Sequence, residues 1–169
     1  LVRIIRHRIL VLDQAHLIAN GKPEAVRQNP QVITAYLGSS KKTQQRRVSV
    51  NHFVPIRNIN ANRFLVIKDL SVAYSGVAAL NSISLEVKSG EMVALVGANG
   101  AGKSTLLKSI SKIVRPHSGE LTFLNNPVLD LPTDQVVQLG ISLVPEGREL
   151  FSSMSIFDNL LIGRYPVVA

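Results

Sequence analysis

Residues 97–105 read Gly97-Ala98-Asn99-Gly100-Ala101-Gly102-Lys103-Ser104-Thr105. Gly97 and Gly102 let the backbone curl so that the N–H groups of Ala98, Asn99, Gly100 and Ala101 can turn inward. Inward N–H groups followed by a helix start form an anion cradle, because the first helical N–H groups have no partner and the helix dipole is positive there. Lys103 adds a point charge, and the Ser104 hydroxyl, with Thr105 beside it, suits a divalent cation. Together these match G-x-x-x-x-G-K-[ST], the phosphate loop for a nucleoside triphosphate with Mg2+. Two fixed glycines with Lys and Ser/Thr arise by chance in well under roughly 1 % of chains of this length. The competing interpretation is a Gly-rich surface turn beside a lysine, and the flanking elements argue against it.

Three further positions carry chemistry. Tyr74, at the end of a strand-like run, could stack on an adenine ring, or it is an ordinary strand-end aromatic; spacing leaves both open. Glu146, after Val144-Pro145, could help hold Mg2+ or an attacking water, although a plain loop carboxylate is the commoner outcome. Arg148 next to it could be a simple ion-pair partner. His7 and His16 lack metal-ligand spacing, and His117 after Pro116 suits a surface turn.

The elements that must place these residues read as follows. Met92 to Val96 is a continuous apolar run, the texture of a strand buried on both faces. Lys103 to Val114 predicts a helix with Leu106, Leu107, Ile110 and Val114 on one stripe. Strands are predicted at 64–67, 70–74, 83–87, 120–124 and 141–144, with a turn at Ser89-Gly90. Short helices are predicted at 133–139, closed by Gly140, and at 155–162 with Ser155 as N-cap. Upstream, Arg8 to Leu12 reads as a strand and Asn20-Gly21 as a turn. Pro23 to Arg27 reads as a helical piece, Asn29-Pro30 as a break, and Val32 to Leu37 as a second helix capped by Gly38. Residues 39–62 are polar, basic and without period, which predicts a linker.

The chain has 169 residues and no cysteine, which excludes a disulfide scaffold and thiolate metal sites. No stretch approaches the roughly 18 apolar residues of a membrane span. The first residues are not a signal peptide, and the missing initiator Met suggests a start inside a longer protein. The net charge of +8 invites a nucleic-acid role. Its distribution opposes one: residues 1–68 hold 12 Lys/Arg against 2 acids, and residues 69–169 hold 7 against 9. The basic excess is the character of a solvated linker, and no specific nucleic-acid partner is expected.

With these residues in place, 64–163 resembles the N-terminal half of an ABC-transporter ATPase, most closely those of branched-chain amino acid importers. The matching stretches are Leu70-Ser-Val-Ala-Tyr74, residues 97–107, Arg115-Pro-His-Ser-Gly119, Leu143-Val-Pro-Glu-Gly-Arg148, 150–154 and 158–163. Glu146 stands where most of the superfamily has glutamine. The resemblance implies an α/β P-loop fold of the ABC-ATPase type, incomplete here: an N-terminal β subdomain, the P-loop, and the start of the core and helical region. It makes Tyr74 the adenine-stacking aromatic and Glu146 the Q-loop position near Mg2+. Residues 8–38 resemble the opposite end of such a protein, the C-terminal tail of a sister subunit, with Ala15 where the family usually has Gly. The implied order is tail (1–38), basic linker (39–62), head (63–169), as in a window on a tandem fusion or in a degraded gene fragment.

The family implies ATP and Mg2+ as ligands, and a second ATP-binding domain and membrane-spanning subunits as partners. A periplasmic binding protein is implied indirectly, as is a peripheral place on the cytoplasmic face of the membrane. Neither an LSGGQ-type signature nor an Asp-Glu at the end of an apolar strand occurs by Ala169. The expectation is therefore ATP binding with little or no hydrolysis by this polypeptide alone. A second expectation is that the strand at 92–96 lies mid-sheet beside strands the chain lacks. Another P-loop ATPase, such as one of DNA repair, is the alternative in a different functional class.

Overall fold

A computed structural model describes residues 7–37, 63–147 and 149–164. The linker at 39–62, the Gly38 cap and Arg148 lie outside the described residues. The elements in chain order are β1 (Arg8–Asp13), β2 (His16–Gly21), α1 (Pro23–Arg27), α2 (Pro30–Leu37), β3 (Arg63–Tyr74) and β4 (Val77–Lys88). There follow β5 (Val93–Gly97), α3 (Lys103–Ile110), β6 (Ser118–Phe123), β7 (Asn126–Pro127), α4 (Thr133–Gln138) and α5 (Ile156–Arg164). The mixed α/β architecture is the one expected of part of a P-loop domain.

Two sheets form, ordered β2-β1-β5 and β4-β3-β6-β7. In the first, β1 runs antiparallel to β2 and parallel to β5, with Leu10 opposite Leu95 and Leu12 opposite Gly97. The period-2 alternation of Arg8-Ile-Leu-Val-Leu-Asp13 sends Ile9 and Val11 to one face and Leu10 and Leu12 to the other. Both faces are covered. Ile9 and Val11 pack with Ala19 and Val26. Leu10 and Leu12 join a larger cluster that includes Ile67, Leu70, Val72, Leu80, Ile83, Ala101 and Leu106.

Several expectations are refined. The strands expected at 64–67 and 70–74 are one strand, β3, interrupted by a register shift between Ile67 and Leu70. Asp69 takes φ +50° there. Its N–H donates to Ser84 Oγ (2.8 Å), and its Oδ1 accepts from the hydroxyls of Ser82 (2.9 Å) and Ser84 (3.2 Å). The alternation slips at a bulge, so the sequence looks like two strands. Asn29-Pro30 ends α1 and also opens α2: the Asn29 side-chain oxygen accepts from Gln31 N–H at 2.9 Å. The helix after the loop stops at Ile110, and within its expected stripe Leu106 is buried while Leu107 faces outward.

Three expectations are corrected. Asn20-Gly21 is not a turn but the end of β2, paired with Leu10 and Ile9 of β1. Residues 141–144 are not a strand. Ile141 is anchored by its N–H on Val136 O at 3.2 Å, but Val144 is 89 % exposed, and no described strand offers it a ladder. The apolar run 92–96 is not flanked only by missing strands, because β1 occupies one edge of β5. β5 is half-buried throughout, as befits a strand at the margin of the described sheet.

The last segment is exposed. Ser155 caps α5, its Oγ accepting from Asp158 N–H (3.1 Å) and donating to Asp158 Oδ2 (2.6 Å). Asn159 ties 151–155 to this helix through bonds with Phe151 and Ser155. No α5 residue is buried. No described helix is long and apolar enough to cross a membrane.

Candidate functional site

β5 delivers the chain to Gly97, and α3 begins after Gly102. Between them Ala101 N–H donates to Ala98 O at 3.2 Å, closing the loop on itself, and the Ala101 methyl is buried in the main core. Gly100 and Gly102 take φ +82° and +103°, a region closed to most side chains. Gly102 is the N-cap of α3 and accepts from Leu106 N–H at 2.9 Å. Space is constrained beneath the loop and open above it. A Cβ on Gly102 would lie 2.5 Å from Ala79 O, and one on Gly97 would lie 2.5 Å from Leu12 O, whereas one on Gly100 meets nothing within 4 Å. The loop therefore rests on two backbone carbonyls, one from β4 and one from β1.

Lys103 folds back across the loop, its Nζ donating to Gly97 O (2.9 Å) and Ala98 O (2.7 Å). This holds the ammonium at the loop while the first N–H groups of α3 point from Gly102 onward. Ser104 is exposed at the start of α3, and Thr105 is half-buried beside it. Loop curvature, an ammonium and a hydroxyl at a helix start are the donor set that a Mg2+-triphosphate requires.

Tyr74 ends β3 opposite Val77 of β4, and the residue is 48 % exposed. Val77 lies two residues from Ala79, on which Gly102 rests, so Tyr74 sits at the loop's end of that hairpin. Glu146 lies on an exposed bend, and among the described residues no hydrogen bond joins it to the loop. The chain fold thus brings Tyr74 to the loop's end of the sheet but does not tie Glu146 to it.

Sequence reasoning missed the supports below the loop. These are the carbonyls of Leu12 and Ala79, and the bond from Asn81 N–H to Ala15 O at 2.9 Å. Backbone carbonyls leave no residue-type signal. His7 has a structural role, its Nδ1 accepting from Met92 N–H at 2.9 Å, and the backbone N–H of His117 donates to Ser71 O at 3.0 Å. An open cavity of about 400 Å3 lined by Arg115, Pro116, His117, Ser118, Leu129 and Asp130 shares no residue with the loop.

A family model described as ABC transporter matches residues 80–167, more than half of the chain. A second, described as branched-chain amino acid ATP-binding cassette transporter, matches residues 16–42. The chain is 40 % identical over 96 residues to the high-affinity branched-chain amino acid transport ATP-binding protein BraG of Pseudomonas aeruginosa, covering 57 % of this chain and 41 % of BraG. It is 41 % identical over 103 residues to the galactose/methyl galactoside import ATP-binding protein MglA of Mannheimia succiniciproducens, covering 61 % of this chain and 20 % of that one. The chain thus spans less than half the length of either relative. Among solved structures, an ATP-binding subunit of an ABC transporter superposes with TM-score 0.55 at 31 % identity, covering 61 % of this chain and 42 % of that one. An ATP-binding cassette bound to ADP and Pi superposes with TM-score 0.53 at 25 % identity, over 62 % and 47 %. The phosphate loop, the strands that seat it and these matches together place the chain in the ABC transporter ATP-binding family.

Proposed function

We propose that this chain binds ATP with Mg2+ through residues 97–105 and serves as part of the ATP-binding component of a branched-chain amino acid importer. The observation that carries the binding reading is the loop itself. Its glycines hold the backbone curled over two carbonyls, and Lys103 stands at the loop's own oxygens. In this reading the N–H groups of 98–100 and 102–105 and the Lys103 ammonium bind the phosphates, while Ala101 N–H holds the loop's own turn on Ala98 O. Tyr74 stacks on adenine, and Ser104, with Glu146, holds Mg2+, which would offset phosphate charge. Titration of the full chain with Mg-ATP by calorimetry tests this, with Lys103→Ala expected to weaken binding at least about tenfold, the cost of one charge-assisted contact. Equal affinity of the two proteins would refute it.

The branched-chain amino acid assignment is supported by the match at 16–42 and by the likeness to BraG. Sugar import is the second reading, favoured by the similarity to MglA. Assembly with the membrane subunits of either system decides between them. We place residues 149–163 at that contact, since α5 exposes Ile156, Phe157, Leu160 and Leu161. The partners in this reading are membrane-spanning subunits, a second ATP-binding domain and, indirectly, a periplasmic binding protein, with the chain peripheral on the cytoplasmic face. Residues 1–38 form the tail of one ATPase, 39–62 the linker and 63–169 the head of another. Hydrolysis by this stretch alone is expected to be slight, because among the described residues no carboxylate or histidine side chain is hydrogen-bonded to the loop as a positioned base. Robust turnover abolished by Lys103→Ala would overturn that.

A further inference from the structure

The turn between β1 and β2 lies next in the chain to the seat of Gly97 and is hydrogen-bonded to the strand that seats Gly102. Leu12, the residue before Asp13, presents its carbonyl to Gly97, where an added Cβ would lie 2.5 Å away. Ala15 O accepts from Asn81 N–H at 2.9 Å. Asn81 lies two residues along β4 from Ala79, whose carbonyl seats Gly102 with the same 2.5 Å clearance. His16 adds a side-chain latch. Its Nδ1 lies 2.7 Å from Gln14 O and its Nε2 lies 3.0 Å from Asn81 Nδ2. A carbonyl only accepts, so Nδ1 carries the proton and Nε2 accepts from the Asn81 amide. The turn is itself constrained: Gln14 and Ala15 take φ +43° and +67°, and Ala15 is buried. Arg8 fixes the other end of β1, with Nε 2.8 Å from Glu91 Oε1 and Nη2 3.0 Å from Glu91 Oε2.

We propose that the Asp13–His16 turn is the positioning element of this chain's own phosphate loop. It sets Gly97 through the Leu12 carbonyl, and Gly102 through the Ala15–Asn81 link to β4. Ala15 and His16 act through these contacts and touch no ligand. The proposal uses the ATP-binding reading for only one of its two readouts.

The test takes the full chain with Ala15→Pro, whose ring forbids the observed φ and swings the carbonyl off Asn81. One readout is amide exchange across 97–105 without nucleotide, and the other is Mg-ATP affinity. Loop exchange should rise about tenfold while β3 and β6 keep their protection, as for a local opening, and affinity should fall. If Ala15→Pro fails to fold, His16→Ala with Asn81→Ala decides, with a rise of about fivefold for the lost hydrogen bond. The chain has no cysteine, so a Val11→Cys/Val96→Cys pair can staple β1 to β5 at a register match. An intramolecular disulfide there should restore protection at Gly97 and leave Gly102 loose. A folded variant with wild-type loop exchange, equal loosening of β3 and β6, or a staple formed only between chains would overturn the proposal. Failure of the wild type to bind Mg-ATP, with loop exchange still responding, would sink the binding reading and leave this one standing.

Discussion

Gly97→Ala isolates one contact. Gly97 does not have a left-handed φ, so alanine there carries no conformational penalty. The added Cβ would sit 2.5 Å from Leu12 O, 3.4 Å from Leu12 C and 3.1 Å from the Ala101 methyl. A carbon–oxygen pair needs about 3.2 Å, so β1 and β5 must part by roughly 0.7 Å or the loop must lift. Leu12 is fully buried in the main core, so neither movement is free. Overpacking of this kind costs about 1–3 kcal/mol, which for a chain of this size lowers Tm by about 2–12 °C. Gly76→Ala is the control. Gly76 has φ +83° and nothing within 4 Å of a Cβ, so only the left-handed cost of roughly 1–2 kcal/mol applies. The two variants therefore lose similar stability for different reasons, and amide exchange separates them. Gly97→Ala should speed exchange in β1, and Gly76→Ala should not. A Gly97→Ala chain within about 0.5 kcal/mol of wild type in urea unfolding, with β1 exchange unchanged, would refute the close approach of Leu12 to the loop.

Other consequences follow from single positions. Ala15→Gly should leave the urea midpoint nearly unchanged, because relief of the left-handed strain, roughly 1–2 kcal/mol, offsets the loss of one buried methyl at about 0.8 kcal/mol and glycine's extra unfolded-state entropy at about 0.4–1 kcal/mol; a loss above about 2 kcal/mol, as for an ordinary buried alanine, counts against the turn conformation. Ser155→Ala should cost about 1 kcal/mol of helix stability and speed proteolysis within 149–164, leaving β3–β4 protection unchanged. Burial, then Arg115, hold Lys112 below the usual lysine value of 10.5, with Asp130 opposing. The folded form therefore binds fewer protons than the unfolded form just below pH 10.5, and this group adds stability as pH rises through that window. Lys112→Met should flatten that rise in urea midpoint; an unchanged slope refutes it.

The loop was legible because its chemistry demands particular residue types at fixed spacing, which tertiary context can only confirm. Local signals also located α1 and α5, where Pro23 and Ser155 mark starts that the backbone cannot easily ignore. What failed were positions whose state depends on a distant neighbour. Val144 has the same aliphatic character as Val96, yet Val96 finds β1 opposite Val11 and Val144 finds no ladder. The bulge at Asp69 depends on Ser82 and Ser84, which no periodicity in β3 records. The parallel pairing of β1 with β5 joins residues more than 80 positions apart, and an apolar run announces burial without naming its partner.

That pairing changes what the resemblance of residues 8–38 means. As sequence, a carboxyl-terminal tail ahead of a P-loop domain looks left over from whatever precedes it. In the fold it is seated, with both faces of β1 covered and Arg8 locked on Glu91. Ile9, Leu10, Val11 and Leu12 are all buried, each worth about 1.5–3 kcal/mol against exposure, so β1 cannot leave β5 without exposing a large apolar area. Residues 38–62 can span at most about 85 Å, so reach alone does not choose between this chain's β5 and another copy's. Effective concentration does: two segments of one chain meet at an effective concentration on the order of mM. At micromolar protein, light scattering should therefore give a monomer carrying β1 on its own β5. A swapped dimer should appear only after concentrated refolding. A micromolar dimer that forms directly and persists on dilution would mean that the tail prefers a second P-loop strand to its own.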